Sequence, residues 1–267
     1  MIELADSHAH LDMPEFDPDR EEVLSRARQV GVRSLLCPAD ATSPASLTRT
    51  LDLSEKFPWI AAAAGVHPHQ AKGWSPECLD GIRELARRQK ICAIGEIGLD
   101  YHYHFSPPEK QREALRAQLD LAESVSLPVI IHSREAGADI LAALADARFS
   151  KGGVLHCFTE DWETARRVLD LGFSVSFSGI LTYASAGQVR EVAARLPDDR
   201  LLIETDSPFL APAPRRGKAV RNEPAFVIET ARCLAGIRRA SLEELAGLTF
   251  RNFRSLFRKS GGSSVAG

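Results

Sequence analysis

Residues 91–132 read ICAIGEIGLDYHYHFSPPEKQREALRAQLDLAESVSLPVIIH, and the order of patterns in this stretch decides the fold. A short apolar run, Ile91–Ile94, is followed by a loop and then by a long amphipathic segment from Pro108 to Ser124. A second apolar run, Pro128–Ile131, ends at His132. Short, unbroken apolar runs are what strands buried on both faces look like, and the amphipathic segment between them is a helix. The unit is strand–helix–strand, so the two strands lie parallel.

The same alternation extends in both directions. Upstream, a strand begins at Ile2–Leu4 and runs into Asp6-Ser7-His8, and a helix spans Pro18–Val30 with Val23, Leu24, Ala27 and Val30 at helical spacing and Gly31 as its stop. Ser34–Cys37 is the second strand, Pro44–Lys56 the second helix, Trp59–Val66 the third strand and Pro76–Arg88 its helix. Downstream, the expected elements are a helix at Ala136–Ala147, a strand at Val154-Leu155, a helix at Trp162–Leu171, a strand at Phe173–Phe177, a helix at Ala186–Leu196 and a strand at Leu201–Ile203. Two more helices follow, at Pro224–Ala235 and Leu242–Phe257. Eight alternations predict an α/β fold, a (β/α)₈ TIM barrel with additional C-terminal helices. An open doubly wound sheet is the alternative, but it gathers its chemistry at one crevice, whereas the candidate residues here follow many strands. The expected domain runs over residues 1–258, with a flexible tail at 259–267 ending in Gly261-Gly262-Ser263-Ser264.

A chain of 267 residues, 44% hydrophobic and 26% charged, can bury a substantial core without staples. Its net charge of −3 excludes a protein that coats nucleic acid through a broad basic surface, so a polyanionic substrate needs local attraction or bound metal. The five cysteines, Cys37, Cys78, Cys92, Cys157 and Cys233, are scattered and never form C-x-x-C, which favours reduced thiols and a cytoplasmic setting. No basic, apolar leader opens the chain and no apolar run spans a bilayer, so neither a targeting segment nor a membrane partner is expected.

The chemistry collects at the predicted strand ends. His8 and His10 are two residues apart in an extended segment and therefore face the same way. Glu96 follows the fourth strand, His132 the fifth, His156 the sixth and Asp206 the eighth. In a barrel these ends form one ring at the carboxyl-terminal face. One histidine after a strand is ordinarily a hydrogen-bonded loop residue. Six ligand-type residues after five strands are a different matter, because two carboxylates crowded into one space repel unless a cation binds between them. His67 is expected to contact substrate phosphate or a metal-held water, whereas His69, His102 and His104 read as loop residues. Glu204, two residues before Asp206, orients water or substrate, or else is a buried carboxylate paired with a nearby Arg or Lys. The run Arg215-Arg216-Gly217-Lys218-Ala219-Val220-Arg221 places Arg215, Arg216, Lys218 and Arg221 in a loop after strand eight, as a solvated loop or a phosphate clamp. Tyr101, Tyr103 and Phe105, in another loop at the same mouth, are candidates for stacking unpaired bases.

These motifs resemble the TatD family of metal-dependent deoxyribonucleases, within the amidohydrolase-like barrels. The resemblance rests on Asp6-Ser7-His8-Ala9-His10, Gly65-Val66-His67-Pro68-His69, Gly95-Glu96-Ile97-Gly98-Leu99-Asp100, Ile131-His132-Ser133-Arg134, His156-Cys157-Phe158, Glu204-Thr205-Asp206-Ser207-Pro208 and Arg221-Asn222-Glu223-Pro224, in that order over nearly the whole chain. It implies that His8, His10 and Asp206 hold one ion, that Glu96 bridges to a second, and that His132 and His156 complete the second site. One departure is visible: where the family commonly has Gly after His-Cys-Phe-Thr, this chain has Glu160 and Asp161.

The expected activity is hydrolysis of DNA phosphodiesters, in single strands or frayed ends, by water activated on two divalent cations (Mg²⁺, Mn²⁺ or Zn²⁺), with Asp206 accepting the proton and no obligate protein partner. Hydrolysis of a small amide, lactone or phosphoester on the same scaffold is the enzymatic alternative. A non-catalytic nucleic-acid-binding protein is the other, and it predicts binding without turnover.

Overall fold

The computed structural model describes residues 2–217 and 220–257. Eight strands follow one another in the sheet in chain order, β1 through β8, every neighbouring pair parallel. They are β1 (Leu4–Asp6), β2 (Val32–Asp40), β3 (Ile60–Gly65), β4 (Ile94–Asp100), β5 (Val129–Arg134), β6 (Gly153–Leu155), β7 (Ser174–Phe177) and β8 (Leu201–Ile203). The intervening helices are α1 (Arg20–Gln29), α2 (Pro44–Lys56), α3 (Pro76–Arg87), α4 (Pro108–Val125), α5 (Gly137–Asp146), α6 (Trp162–Asp170) and α7 (Gly187–Arg195). After β8 come α8 (Val227–Arg238) and α9 (Leu242–Leu256). No helix among the described residues is long and apolar enough to cross a membrane.

The barrel is nearly closed, by backbone bonds along the β1–β8 seam. Ser7 N–H donates to Ile203 O at 3.0 Å, Asp206 N–H to His8 O at 2.9 Å, and His10 N–H to Ser207 O at 2.8 Å. The buried Asp6 carboxylate reinforces the seam, accepting from Thr205 N–H at 2.9 Å and from Thr205 Oγ1–H at 2.6 Å. This seam sets the chain-distant His8-Ala9-His10 segment directly beside Asp206.

Inside the barrel, Ala5, Leu36, Ala63, Ile130, Val154 and Leu202 form an apolar floor, closed by Phe253 of α9 and Phe257 just past it. Side chains two apart on a strand share a face. The residues two steps on from this floor are therefore inward too: Ser7 after Ala5, His132 after Ile130, His156 after Val154 and Glu204 after Leu202. One period-two rule thus changes the lumen from apolar to ionisable in a single step.

Three strands run further than their apolar runs suggest, the second reaching Asp40 and not ending at Cys37. The fourth was expected at Ile91–Ile94 and lies at Ile94–Asp100, so Glu96 stands within a strand and not after it. The fifth continues through His132 to Arg134. The glycines of Gly95-Glu96-Ile97-Gly98 serve close packing. Gly98 lies opposite His132 in register, at φ 148°, and a Cβ there would meet His132 O at 2.0 Å. The first strand begins at Leu4, not Ile2, and a 3₁₀ turn at Pro224–Phe226 delays α8 to Val227.

Candidate metal centre

Glu96, buried on β4, is the hub of the site. Its Oε2 lies 3.1 Å from His8 Nε2 and 3.5 Å from His10 Nε2. Its Oε1 lies 2.7 Å from His156 Nε2, 2.8 Å from His132 Nδ1 and 3.2 Å from His67 Nε2. The two oxygens of one carboxylate therefore address two separate sets of imidazoles. Asp206 completes the first set, with Oδ1 3.5 Å from His10 Nε2 and 3.8 Å from His8 Nε2. Its backbone has φ 54°, a left-handed conformation that Asp adopts more readily than most residues.

The donor atoms fit divalent cations. His8 Nε2 and His10 Nε2 lie 3.1 Å apart. Glu96 Oε2 and His8 Nδ1 are buried without a hydrogen-bond partner, a costly arrangement unless something else satisfies them. The potential ligand atoms of His8, His10 and Asp206 lie within 4.8 Å of one another, and so do those of His67, Glu96 and His132.

Electrostatics describe the same cluster. Burial pushes the Glu96 carboxyl up, but the charges of His156, His67 and His8 outweigh it and hold Glu96 well below the ordinary range. Burial likewise opposes ionisation of Asp206, and the bond from His10 with the charges of His8 and His156 reverses it. Burial alone would neutralise His10, yet the Asp206 and Glu96 carboxylates, each 3.5 Å from its Nε2, raise it to about 10. His8 and His67 go the other way, lowered by burial, His67 to about 4. Protons on imidazoles thus balance the carboxylates, and a cation entering here displaces such protons.

A second layer holds the imidazoles in place. His132 turns its far nitrogen, Nε2, to Asp100 Oδ2 at 3.0 Å, and His69 Nε2 reaches the same oxygen at 2.8 Å. Asp100 also accepts backbone N–H bonds from His102 and Tyr103. On the other side, His156 Nδ1 lies 3.2 Å from Glu204 Oε1, and Ser7 Oγ donates to Glu204 Oε2 at 3.4 Å. Carboxylates behind ligand histidines fix ring orientation and basicity. Asp100→Asn is therefore expected to weaken metal affinity about 10–100-fold, read by titration against a competing chelator.

A cavity of about 930 Å³ opens over the cluster and extends past Asp12, Arg49, Tyr103, Arg134 and Phe209. His10, His67, Glu96, His132, His156 and Asp206 line it, and His8 lies buried beneath them with Nε2 3.1 Å from Glu96 Oε2. Glu204 does not line it: it is fully buried behind His156, and its partners among the described residues are that histidine and Ser7, not Arg or Lys. His69, expected to be a loop residue, lines the cavity and binds Asp100, while His102 pairs with Glu135 at the surface and His104 is exposed.

The basic loop is arranged differently from a clamp. Arg215 pairs with Glu229 at 3.0 Å, and Arg221 pairs with Asp19 at 2.8 Å and lies over the Phe16 ring. Neighbouring carboxylates have already claimed these charges, which the sequence run could not reveal. Arg216 stacks over Tyr183 and pairs with no carboxylate among the described residues. Lys218 lies outside the described residues. The unusual Asp161 caps α6, accepting from Thr164 N–H at 2.8 Å, and Glu160 accepts from Ser133 Oγ–H at 3.3 Å.

Asp100, Arg49, Arg134 and Phe209 were not singled out from sequence. Asp100 was within reach: once Gly95–Asp100 is read as strand, Glu96 and Asp100 are four apart and share a face. Nothing in the linear pattern marks Arg49, which comes from a helix.

The family profile described as TatD related DNase matches residues 5–258. The chain is 41% identical over 256 residues to a Bacillus subtilis protein named "Uncharacterized metal-dependent hydrolase YabD", with 96% of this chain and 99% of that one covered. It is 37% identical over 258 residues to the "3'-5' ssDNA/RNA exonuclease TatD" of Dickeya dadantii, with 95% and 97% covered. The solved structure of YjjV, a TatD homolog from Escherichia coli K12, superposes with a TM-score of 0.87 at 33% identity, over 95% of this chain and 97% of that one.

Proposed function

The chain belongs to the TatD related DNase family, whose members include metal-dependent hydrolases, and from that premise we propose that it hydrolyses phosphodiester bonds of DNA in single strands or frayed ends. The observation that carries this reading is Glu96, whose two carboxylate oxygens each face a separate set of imidazoles. We assign His8, His10 and Asp206 to one divalent cation, His132 and His156 to a second, and Glu96 to both, with His67 on the Oε1 side. Mixed nitrogen and oxygen donors suit Zn²⁺ or Mn²⁺, and the family's chemistry admits Mg²⁺. Bound cations would supply Lewis acidity, making water easier to deprotonate and drawing charge from a phosphoryl oxygen.

The chain's own residues do the rest. Asp206, ionised and lining the cavity, takes the proton from the attacking water. Glu204 and Asp100 hold His156 and His132 in register while charge develops. Of the loop cations, Arg216 is retained as an outer phosphate contact, since Arg215 and Arg221 are neutralised within the chain. Residues 1–258 form one catalytic unit in this reading, which the span of the family match supports. Five free cysteines support a cytoplasmic setting.

The test is an assay of protein reconstituted with Mg²⁺, Mn²⁺ or Zn²⁺ on single-stranded oligonucleotides, run beside a panel of lactones, amides and small phosphoesters. Cleavage of the oligonucleotide is expected. Turnover of a lactone or amide with no cut in DNA under any of the three cations rejects the reading.

A further inference from the structure

Four large hydrophobic side chains stand exposed among the described residues: Tyr103 at 40%, Phe105 at 55%, Phe209 at 48% and Val220 at 43%. Scattered exposed hydrophobics are normal on a protein surface and need no explanation. These are not scattered, for all three aromatic rings stand at the mouth of the metal cavity. Tyr103 and Phe209 line it, and Phe105 meets the cavity-lining His69 edge-on with ring centroids 4.8 Å apart. Tyr103 and Phe105 follow β4, whereas Phe209 follows β8. In an eight-stranded barrel taken in chain order, β4 and β8 lie across from each other. The rings thus form two walls, with the metal cluster between them.

Each wall is built for planar, uncharged faces. Tyr103 and Phe105 stack on one another at 5.4 Å and 19°, a short column that ends in the exposed Phe105 ring. Phe209 stands edge-on to the ligand His10 at 6.3 Å, so its own position is tied to the cluster. Arg134 adds the missing charge: its guanidinium lies 4.6 Å over the Tyr103 ring, lines the cavity, and pairs with no carboxylate among the described residues. A cation with no carboxylate partner among the described residues, beside stacked rings, matches a nucleotide, which carries one planar base and one anionic phosphate.

We propose that Tyr103 with Phe105 on one wall and Phe209 on the other grip unpaired bases on the two sides of the scissile phosphodiester, with Arg134 holding a neighbouring phosphate. The inference rests on the nucleic-acid reading and deepens it, because it names what selects the strand. Bases inside a duplex are stacked on their neighbours and cannot lie against protein rings, so the clamp admits only strand that is already unpaired. It is also indifferent to sequence, since every base has a face to stack.

The test compares a twelve-residue oligothymidylate with a twelve-residue chain of abasic tetrahydrofuran units, which carries the same phosphodiesters without bases. Binding is read by fluorescence anisotropy on metal-loaded Asp206→Asn protein, which leaves the strand uncut, and kcat/KM on protein with Asp206 intact. The unaltered protein is expected to prefer the based strand by about tenfold or more. Phe105→Leu and Phe209→Leu, which keep an apolar side chain, should each reduce that preference by about tenfold, mostly through KM. Arg134→Gln should weaken both strands alike and leave the preference standing. Equal cutting of the two strands by the unaltered protein sinks the clamp alone, as does a preference that survives both ring substitutions. A protein that cuts neither strand under any divalent cation sinks the nucleic-acid reading and the clamp with it.

Discussion

Asp206→Asn is expected to lower kcat for DNA cleavage by on the order of a thousandfold or more while the protein still folds. Asn has the shape of Asp, and the seam bond from residue 206 N–H to His8 O belongs to the backbone. What the substitution removes is charge and basicity. The imidazoles around Asp206 hold its carboxyl below the ordinary range, so it is ionised at neutral pH and ready to accept a proton. An amide accepts none, and it also subtracts a negative donor from the set of His8, His10 and residue 206. Both losses act on the chemical step, so kcat falls much further than substrate affinity. Rates on the oligonucleotide and a far-ultraviolet circular dichroism spectrum check the two halves. If the variant kept a tenth of the rate, another group would have to be the base.

Stripping the metal is the second large effect. Chelation is expected to abolish cleavage and to lower the unfolding temperature, both restored by adding the cation back. The sign follows from linkage: a cation that binds only the folded chain stabilises it. At a free concentration one hundred times Kd, one site contributes about 2.7 kcal/mol. For a domain of this size each kcal/mol moves Tm by about 2–4 °C, so a shift of roughly 5–10 °C per site is expected. The shift should grow with the logarithm of cation concentration, and Glu96→Gln should flatten that dependence because Glu96 serves both sets of imidazoles. A thermal scan indifferent to Mg²⁺, Mn²⁺ and Zn²⁺ would leave the cluster without its assigned ligand.

Much of the fold was legible because buried parallel strands write themselves as short apolar runs between amphipathic segments. Pro44–Lys56 and Leu201–Ile203 match their sequence expectation residue for residue. The reading faltered at β4, where the apolar run ends at Ile94 but the strand continues to Asp100. Gly98 permits β4 to approach the His132 backbone, and that demand comes from a strand more than thirty residues away. The basic run after β8 leaves clamp and solvated loop both open for a related reason. A charge count along the chain says nothing of Glu229 and Asp19, which reach Arg215 and Arg221 through space.

Local pattern alone sets the order and kind of the elements and which side chains carry metal-binding donors, since periodicity and donor chemistry are properties of neighbours in the chain. Register and closure of the barrel settle everything that depends on distance. They set Glu96 between two groups of histidines, put Asp100 and Glu204 behind His132 and His156, and stand Tyr103 across the cavity from Phe209. The reason is physical: strands decide which way a side chain points, but only the pairing of one strand with the next fixes how far along the barrel axis it arrives.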